Sequence, residues 1–420
     1  MTDRTSSAPS DIRKGALLFI FFTVLLDVLG LGLVIPVLPK LVESFAGGNT
    51  AHAAGILALF GTAWALMQFL FSPLLGMLSD RYGRRPVILI SCLGLGLDYV
   101  LMALAPDLSW LFVGRLISGI TAANFSTAGA YIADVTPPAR RAAGYGVIGA
   151  GFGVGFVVGP AVGGLLGSVD PRLPFWIAAA LALANFGYGW FVLPESLPKA
   201  KRTASLVWRR ANPVGALKLL RTHPDLLGLA SVYGLFHLAH QVFSNTFVIY
   251  ASYRYGWDTR QVGWALTAVG VCGIIVQGGL VRRCVARFGE RPTLLAGLAF
   301  GTVGLSLWAS AATPTLFWVG LPMISLMGLF GPSAQGLMTR HVSPSEQGRL
   351  QGANASLMGI AGVVGPSLFN LSFSWFIAPS AGHHPWPGAP FWLAALLLGG
   401  GLLLAAHYTR AAQRHVEQPA

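Results

Sequence analysis

Long apolar runs recur about every 30 residues along the chain, divided by short polar connections. Each run is long enough to cross ~30 Å of hydrocarbon as a helix rising ~1.5 Å per residue. The pattern predicts twelve transmembrane helices. The first six run Gly15–Leu38, His52–Leu78, Val87–Ala105, Leu108–Tyr131, Ala142–Leu166 and Phe175–Leu193. The second six run Leu226–Tyr250, Val262–Val285, Thr293–Ala311, Leu316–Met338, Leu350–Ile377 and Ala389–His407. The predicted organisation is a tail over 1–14, a six-helix bundle over 15–193, a linker over 194–225, a second bundle over 226–409 and a tail over 410–420. The fold class is therefore all-α, within a membrane.

Composition agrees with lipid as the main solvent. Apolar residues make up 54% of the 420 and charged residues only 10%, against roughly 25% charged in a soluble chain. The formal charge of +13 raises nucleic acid as a partner, but the basic residues are distributed by topology. Even-numbered connections and both tails, with the helix ends beside them, hold 23 of the 28. The others are Lys40, Arg115, Arg172, Arg254 and Arg260. This asymmetry places both termini and the linker in the cytoplasm and leaves no call for a nucleic-acid partner. Cys92, Cys272 and Cys284 form no spacing motif, so neither a disulfide framework nor a zinc site is expected. The first apolar run is too long for the core of a signal peptide, so no cleaved leader is expected.

The densest knot of charge is Gly76-Met77-Leu78-Ser79-Asp80-Arg81-Tyr82-Gly83-Arg84-Arg85-Pro86. It must turn the chain outside hydrocarbon, and Gly83 suits a tight turn that a side chain would obstruct. Its final six residues return at an offset of about 206 as Arg287-Phe288-Gly289-Glu290-Arg291-Pro292. Gly159-Pro160 returns as Gly365-Pro366, and Pro138 as Pro344. Landmarks in common register indicate a duplicated six-helix unit. Paired repeats related by an axis along the membrane normal suit alternating access, with a substrate site near midplane.

Asp27, Asp98 and Arg115 are the ionisable side chains placed deep in apolar runs. At ~1.5 Å per residue, Asp27 lies roughly 18 Å and Asp98 roughly 16 Å into its helix, and Arg115 falls near the same level. A charge at that depth costs at least ~2.5–3.5 kcal/mol unless paired or wet. Two readings are open: a proton-coupling cluster, or a static bridge joining helices one, three and four.

Helix five carries Gly151, Gly155, Gly159, Gly163 and Gly167, a spacing that lets two backbones touch, with Pro160 as a bend within the run. Helix seven has a polar stripe of Tyr233, His237, Gln241, Ser244 and Asn245, with His240 beside it. Gln68, Asn124, Gln277, Gln335 and Asn354 are further candidates for a substrate cavity, and each serves equally as an interhelical hydrogen-bonding residue. No Gly-x-x-x-x-Gly-Lys-Ser/Thr loop occurs, so no internal ATPase drives the protein. His383-His384 lacks a third ligand, and no metal or other cofactor is expected.

With these residues in place, the chain resembles the major facilitator superfamily. Gly76-x-x-x-Asp80-Arg81-x-Gly83-Arg84-Arg85 matches that superfamily's signature loop between helices two and three. Within the superfamily the chain is similar to the tetracycline/proton antiporters of the twelve-helix drug exporter branch. The residues that carry this are Leu26-Asp27-x-x-Gly30-x-Gly32, Pro36-Val37-Leu38-Pro39, Leu97-Asp98-Tyr99, Gly114-Arg115-Leu116-Ile117-Ser118-Gly119-Ile120-Thr121 and Ala133-Asp134. The glycine-rich helix five resembles the motif that marks exporters. The resemblance implies that Gly76, Asp80, Arg81, Gly83, Arg84 and Arg85 form a cytoplasmic gate, Asp80 latching onto the opposite half. It implies a drug substrate that arrives as a divalent-metal chelate. Two positions depart from the branch: Gly273 stands where it has a histidine and Gly301 where it has an aspartate.

The reading that combines these signals is a non-enzymatic exporter in a bacterial inner membrane, exchanging protons for an amphipathic, tetracycline-like or multidrug substrate. Its expected partners are that small molecule, protons and membrane lipid. The alternatives are a proton-coupled organic-anion or metabolite transporter, and a membrane receptor that moves nothing.

Overall fold

The computed structural model describes residues 9–122, 124–137, 141–203, 212–343, 346–379 and 384–416. Among the described residues every regular element is helical, and eleven spans are long and apolar enough to cross a membrane.

The first helix, α1 (Pro9–Val34), stops four residues before the sequence expectation, and a separate α2 (Leu38–Phe45) follows. Pro36 has no N–H to continue the ladder and pushes Ile35 out of helical geometry, whereas Pro39 is well placed in the first turn of a new helix. Glu43 closes α2, accepting from Lys40 at 3.2 Å and from the Thr50 hydroxyl at 2.5 Å. Next come α3 (Thr50–Tyr82) and α4 (Arg84–Leu104), separated by Gly83 alone. The expected fourth helix is divided into α5 (Leu108–Thr121) and α6 (Asn124–Val135), which together cover the length of one further passage. Asp107 starts α5 by accepting from the backbone N–H groups of Ser109 and Trp110. The half closes with α7 (Arg141–Val169) and α8 (Leu173–Val192).

After short turns and α9 (Lys218–Thr222), the second half opens with α10 (Pro224–Tyr255). The expected eighth helix is interrupted: α11 (Thr259–Ile275) passes through a π-helical turn over Val276–Leu280 into α12 (Val281–Phe288). Gly278 and Gly279 within that turn leave the backbone free to take the wider winding. Then follow α13 (Glu290–Ser310), α14 (Pro314–Ser325), a tight 3-10 turn over Leu326–Leu329 and α15 (Phe330–Thr339). Last are α16 (Gln347–Ile377) and α17 (Ala389–Val416). Pro138, Pro344 and His383 lie outside the described residues.

Contacts divide the chain into two compact units. One comprises Met1–Leu38 and Leu70–Asn212, the other Pro39–Phe69 and Pro213–Ala420. Residues 39–69, assigned by sequence to the first bundle, thus pack with the second unit.

In the first unit, Phe19, Ile20, Val24 and Val28 of α1 pack with Ile88 and Cys92 of α4 and with Ala128, Tyr131 and Ile132 of α6. In the second, an aromatic core of Phe247, Tyr250, Trp308, Phe317, Phe373 and Phe391 is fully buried. Trp308 stacks on Phe317 at 4.5 Å and donates its indole N–H to the Phe317 carbonyl at 3.1 Å. Its own carbonyl accepts from the Tyr250 hydroxyl at 2.8 Å, so the polar tips of this core are satisfied. The first half of α3 is tied to α16 by Thr62, whose hydroxyl lies 2.8 Å from that of Ser367, and by the Ser374 hydroxyl on the Ala51 carbonyl at 2.7 Å.

Candidate functional site

The deep charges foreseen in the sequence lie together in the first unit. Asp27 on α1 is 8% exposed and Asp98 on α4 is 1% exposed. Asp98 makes no hydrogen bond among the described residues, and Arg115 on α5 is the opposite charge acting on it. Gly114 gives the carboxylate its space: a Cβ there would stand 2.9 Å from Asp98 Oδ1. Tyr99, next to Asp98 and also buried, lies within the fields of Asp98, Asp27 and Arg115. Gly30 admits its ring, with the Tyr99 hydroxyl 3.5 Å from where a Cβ would sit. From α8, Asn185 Nδ2 donates to Asp27 Oδ1 at 3.3 Å. Four helices thus hold two carboxylates, a guanidinium, a phenol and an amide in apolar surroundings. Ionised groups so placed are expensive, and a carboxylate in such a setting is suited to exchanging a proton when its neighbours move.

Beneath this cluster α1 rests on the glycine face of α7. A Cβ at Gly151 would meet the Phe21 carbonyl at 3.3 Å, one at Gly155 the Val28 Cβ at 2.9 Å, and one at Gly159 the Gly32 Cα at 2.7 Å. At Gly163 it would strike the Leu33 backbone, and the Pro160 ring lies against Gly32. The spacing of four has become direct backbone contact, and it fixes the helix that carries Asp27.

The charged knot forms a second cluster in the same unit. Gly83 has φ +110°, and a Cβ on it would run into the Glu195 carboxylate and Arg202, so both conformation and space require glycine. Arg84 is 8% exposed and binds Ser79 at 2.7 Å, Asp80, and Asp134 at 3.1 Å. Here Asp80 pairs with Arg84 of its own loop. Arg85 donates to the Trp190 carbonyl at 2.6 Å, and Arg81 lies 5.4 Å from the Tyr82 ring centre. Gly76 is less demanding, since a Cβ there meets nothing within 4 Å.

The candidates for a substrate cavity divide into smaller groups. On α10 the Tyr233 and His237 rings lie 4.4 Å apart, and Phe236 stacks on Phe330 at 4.0 Å. His237 is half-buried and His240 exposed. Asn245 donates to Gln241 Oε1 at 3.1 Å, and Gln241 packs over Gly365 of α16. Asn354 donates to Gln335 Oε1 at 3.0 Å. Gln277 is exposed on the π-helical turn and Gln68 half-buried on α3, neither joined to these pairs by a hydrogen bond described here. The Asn124 side chain lies outside the described residues. No group of three or more His, Cys, Asp or Glu side chains able to hold a metal occurs among the described residues.

Two residues passed unnoticed in the sequence. Asn185 is a lone amide in an apolar helix, which by itself signals nothing. Glu195 follows Pro194 in a charged linker, yet its Oε1 accepts from the Arg84 and Leu197 backbone N–H groups at 2.9 and 3.0 Å. It thereby satisfies the N-terminus of α4, where negative charge is favoured. Its other oxygen pairs with Arg202 at 3.4 Å.

Comparison with known proteins agrees with this architecture. The profile of the Major Facilitator Superfamily matches residues 20–366 and, in a second register, 229–420. The chain is 37% identical over 389 residues to the class C tetracycline resistance protein of Escherichia coli, covering 91% of this chain and 94% of that one. It is 32% identical over 402 residues to the class H tetracycline resistance protein of Pasteurella multocida, covering 94% and 96%. Among solved structures, the human organic anion transporter MFSD10 (TETRAN) superposes with a TM-score of 0.70 at 25% identity, covering 94% of this chain and 99% of that one.

Proposed function

Because this chain belongs to the Major Facilitator Superfamily and, within it, to the tetracycline-resistance proteins, we propose that it exports an amphipathic drug of tetracycline type in exchange for protons. It is an integral membrane protein and a transporter by family; the driving ion and the direction are the proposal. The observation that carries it is the pair of buried carboxylates Asp27 and Asp98 with the half-buried Arg115, held by three different helices of one unit. Proton occupancy of these carboxylates and occupancy by drug favour opposite-facing states, so each ligand promotes release of the other. The internal repeat suits alternation between two such states. Basic residues gathered in the tails and even-numbered connections support a cytoplasmic position for both termini.

Transport by the purified protein in liposomes, with and without an imposed pH gradient, tests the reading across a compound panel that includes tetracycline with and without Mg²⁺. Drug accumulation should follow a proton gradient of opposite direction, and Asp27→Asn should abolish it. Accumulation that ignores the gradient would sink the exchange mechanism.

A second reading has its own support. Between residues 226 and 409 the carboxylates are Asp258, Glu290 and Glu346, all at helix ends, while His237, His240, Gln241 and Asn245 line α10. Such a neutral-to-basic wall suits an organic anion, the substrate named for the human relative. Organic anions in the same panel separate the two.

A further inference from the structure

Asn185 is 1% exposed in the middle of α8, and a buried amide is costly unless its groups are used. Its Nδ2 is used: it donates to Asp27 Oδ1 at 3.3 Å and to the Thr23 carbonyl at 3.4 Å, and it stands 3.7 Å from Cys92 Sγ. Its Oδ1, equally buried, accepts no hydrogen bond among the described residues. The amide therefore shows Asp27 a donor and keeps an acceptor in reserve.

From α4, Tyr99 and Cys92 face this region, with Asp98 and Arg115 acting on Tyr99 from beyond it. From α6, the Tyr131 hydroxyl is directed to the Pro194 carbonyl. On α7 the face against α1 is glycine, and on α8 the Tyr188 ring stacks on Phe19. Asn185 is a neutral group with both a donor and an acceptor at the carboxylate.

We propose that Asn185 positions Asp27 in both of its protonation states. Toward the carboxylate the amide donates through Nδ2, as seen here. When Asp27 takes up a proton, a half-turn of the amide brings Oδ1 round to accept from the new O–H. One proton binds to and leaves Asp27; Asn185 exchanges none. The chemistry follows from an amide carrying two donors and an acceptor carbonyl in one plane. This inference rests on the proton-exchange reading, so its test is made independent of transport.

The experiment is an infrared pH titration of the purified full chain, following the carboxylic-acid carbonyl band that disappears in Asp27→Asn. Asn185→Leu, close in volume but without polar atoms, removes the donor to the ionised form. Because it removes the acceptor for the protonated form as well, it should shift the frequency of that band toward that of an unbonded acid, the midpoint rising only by as much as the lost donor outweighs the lost acceptor. Asn185→Ser, which keeps a donor and an acceptor, should fall between it and the wild type. A midpoint and frequency unchanged in either folded variant would overturn the proposal. Recovery of both variants only as aggregate would equally overturn it, since the role would then be assembly of α1 with α8. Liposomes that move no drug count against the exporter reading and leave the titration result standing.

Discussion

Glu290 and Arg340 form an ion pair at 2.9 Å, and the residues 206 positions earlier, Arg84 and Asp134, form one at 3.1 Å with the charges exchanged. The two halves thus keep the same clamp between the start of one helix and the end of the next while reversing its polarity. Gly83 and Gly289, each just before its clamp, share positive φ of +110° and +83°. A duplicated backbone has retained its geometry under altered side chains.

The clamps differ in exposure, and so should their worth. The Arg84 side chain is 10% exposed and Asp134 22%, whereas Arg340 is 70% exposed. Removing one partner of a buried pair costs about 3–5 kcal/mol, although Asp80 remains on Arg84 and places Asp134→Ala near the lower end. Arg340→Ala should cost less than about 1 kcal/mol. Thermal unfolding in detergent compares them; equal losses would reject the distinction.

Asp98→Asn replaces a buried carboxylate that makes no hydrogen bond among the described residues with a neutral group of its own shape. Folding should be preserved, with a Tm within a few degrees of wild type, while pH-driven transport falls to background. Exchange of drug for drug at equal pH should persist, because it requires no net proton movement. Retained pH-driven flux would remove Asp98 from the coupling machinery.

Gly159 of α7 and Gly76 of α3 should respond differently. Gly159→Ala sets a methyl 2.7 Å from the Gly32 Cα, and overpacking of this kind costs about 1–3 kcal/mol. Gly76→Ala meets nothing within 4 Å and should be neutral or stabilising by up to about 1 kcal/mol through helix propensity. Any loss of transport in Gly76→Ala at full stability would assign that glycine to another facing state.

Gly273 and Gly301, where the tetracycline branch resembles a histidine and an aspartate bearer, are unequal sites. A Cβ at Gly273 meets nothing within 4 Å, whereas one at Gly301 would lie 2.8 Å from Leu398 Cδ1 and 2.9 Å from Met327 Cγ. Gly273→His should fold normally. Gly301→Asp should lose about 1–3 kcal/mol or more, from steric crowding together with a buried charge. Expression level and monodispersity in detergent give the answer directly.

Outside the spans, Glu346 is held below the usual carboxylate range, first by the Ser343 hydroxyl donating to it at 2.9 Å, with His223 and Arg349 nearby. A depressed value means the ionised carboxylate, which accepts from Ser343 and attracts a protonated His223, is present above the ordinary carboxylate range and is lost as pH falls through the lower, folded value. Proteolysis around His223 should therefore accelerate as pH falls below the ordinary carboxylate range. Glu346→Gln should make it pH-insensitive there.

Helix number and the deep charges were legible because both rest on simple contrasts: apolar length against polar breaks, and Asp27, Asp98 and Arg115 against their neighbours. Finer features depend on three-dimensional neighbours. The apolar pattern carries the first helix through Pro36 to Leu38, and the separate helix over Leu38–Phe45 comes to light only where Glu43 finds Lys40 and Thr50. Asn185 is one amide among apolar residues, and its importance appears only when α8 is laid beside α1. Glu195 looked like one more linker charge until its carboxylate met the first amide of α4. The π-helical turn at Gly278 and Gly279 also escaped, because paired glycines in an apolar run signal close packing as readily as altered winding.

The contact of α7 on α1 has a consequence for adaptation under antibiotic pressure. At Gly159 and Gly163 even a methyl group would press on the opposing backbone, so substitutions there carry a stability cost that selection must overcome. Tolerated substitutions should instead gather at permissive sites such as Gly273 and Gly278, where an added Cβ meets nothing within 4 Å. Resistance would diversify there, while the helix bearing Asp27 is inherited with its seat on α7 intact.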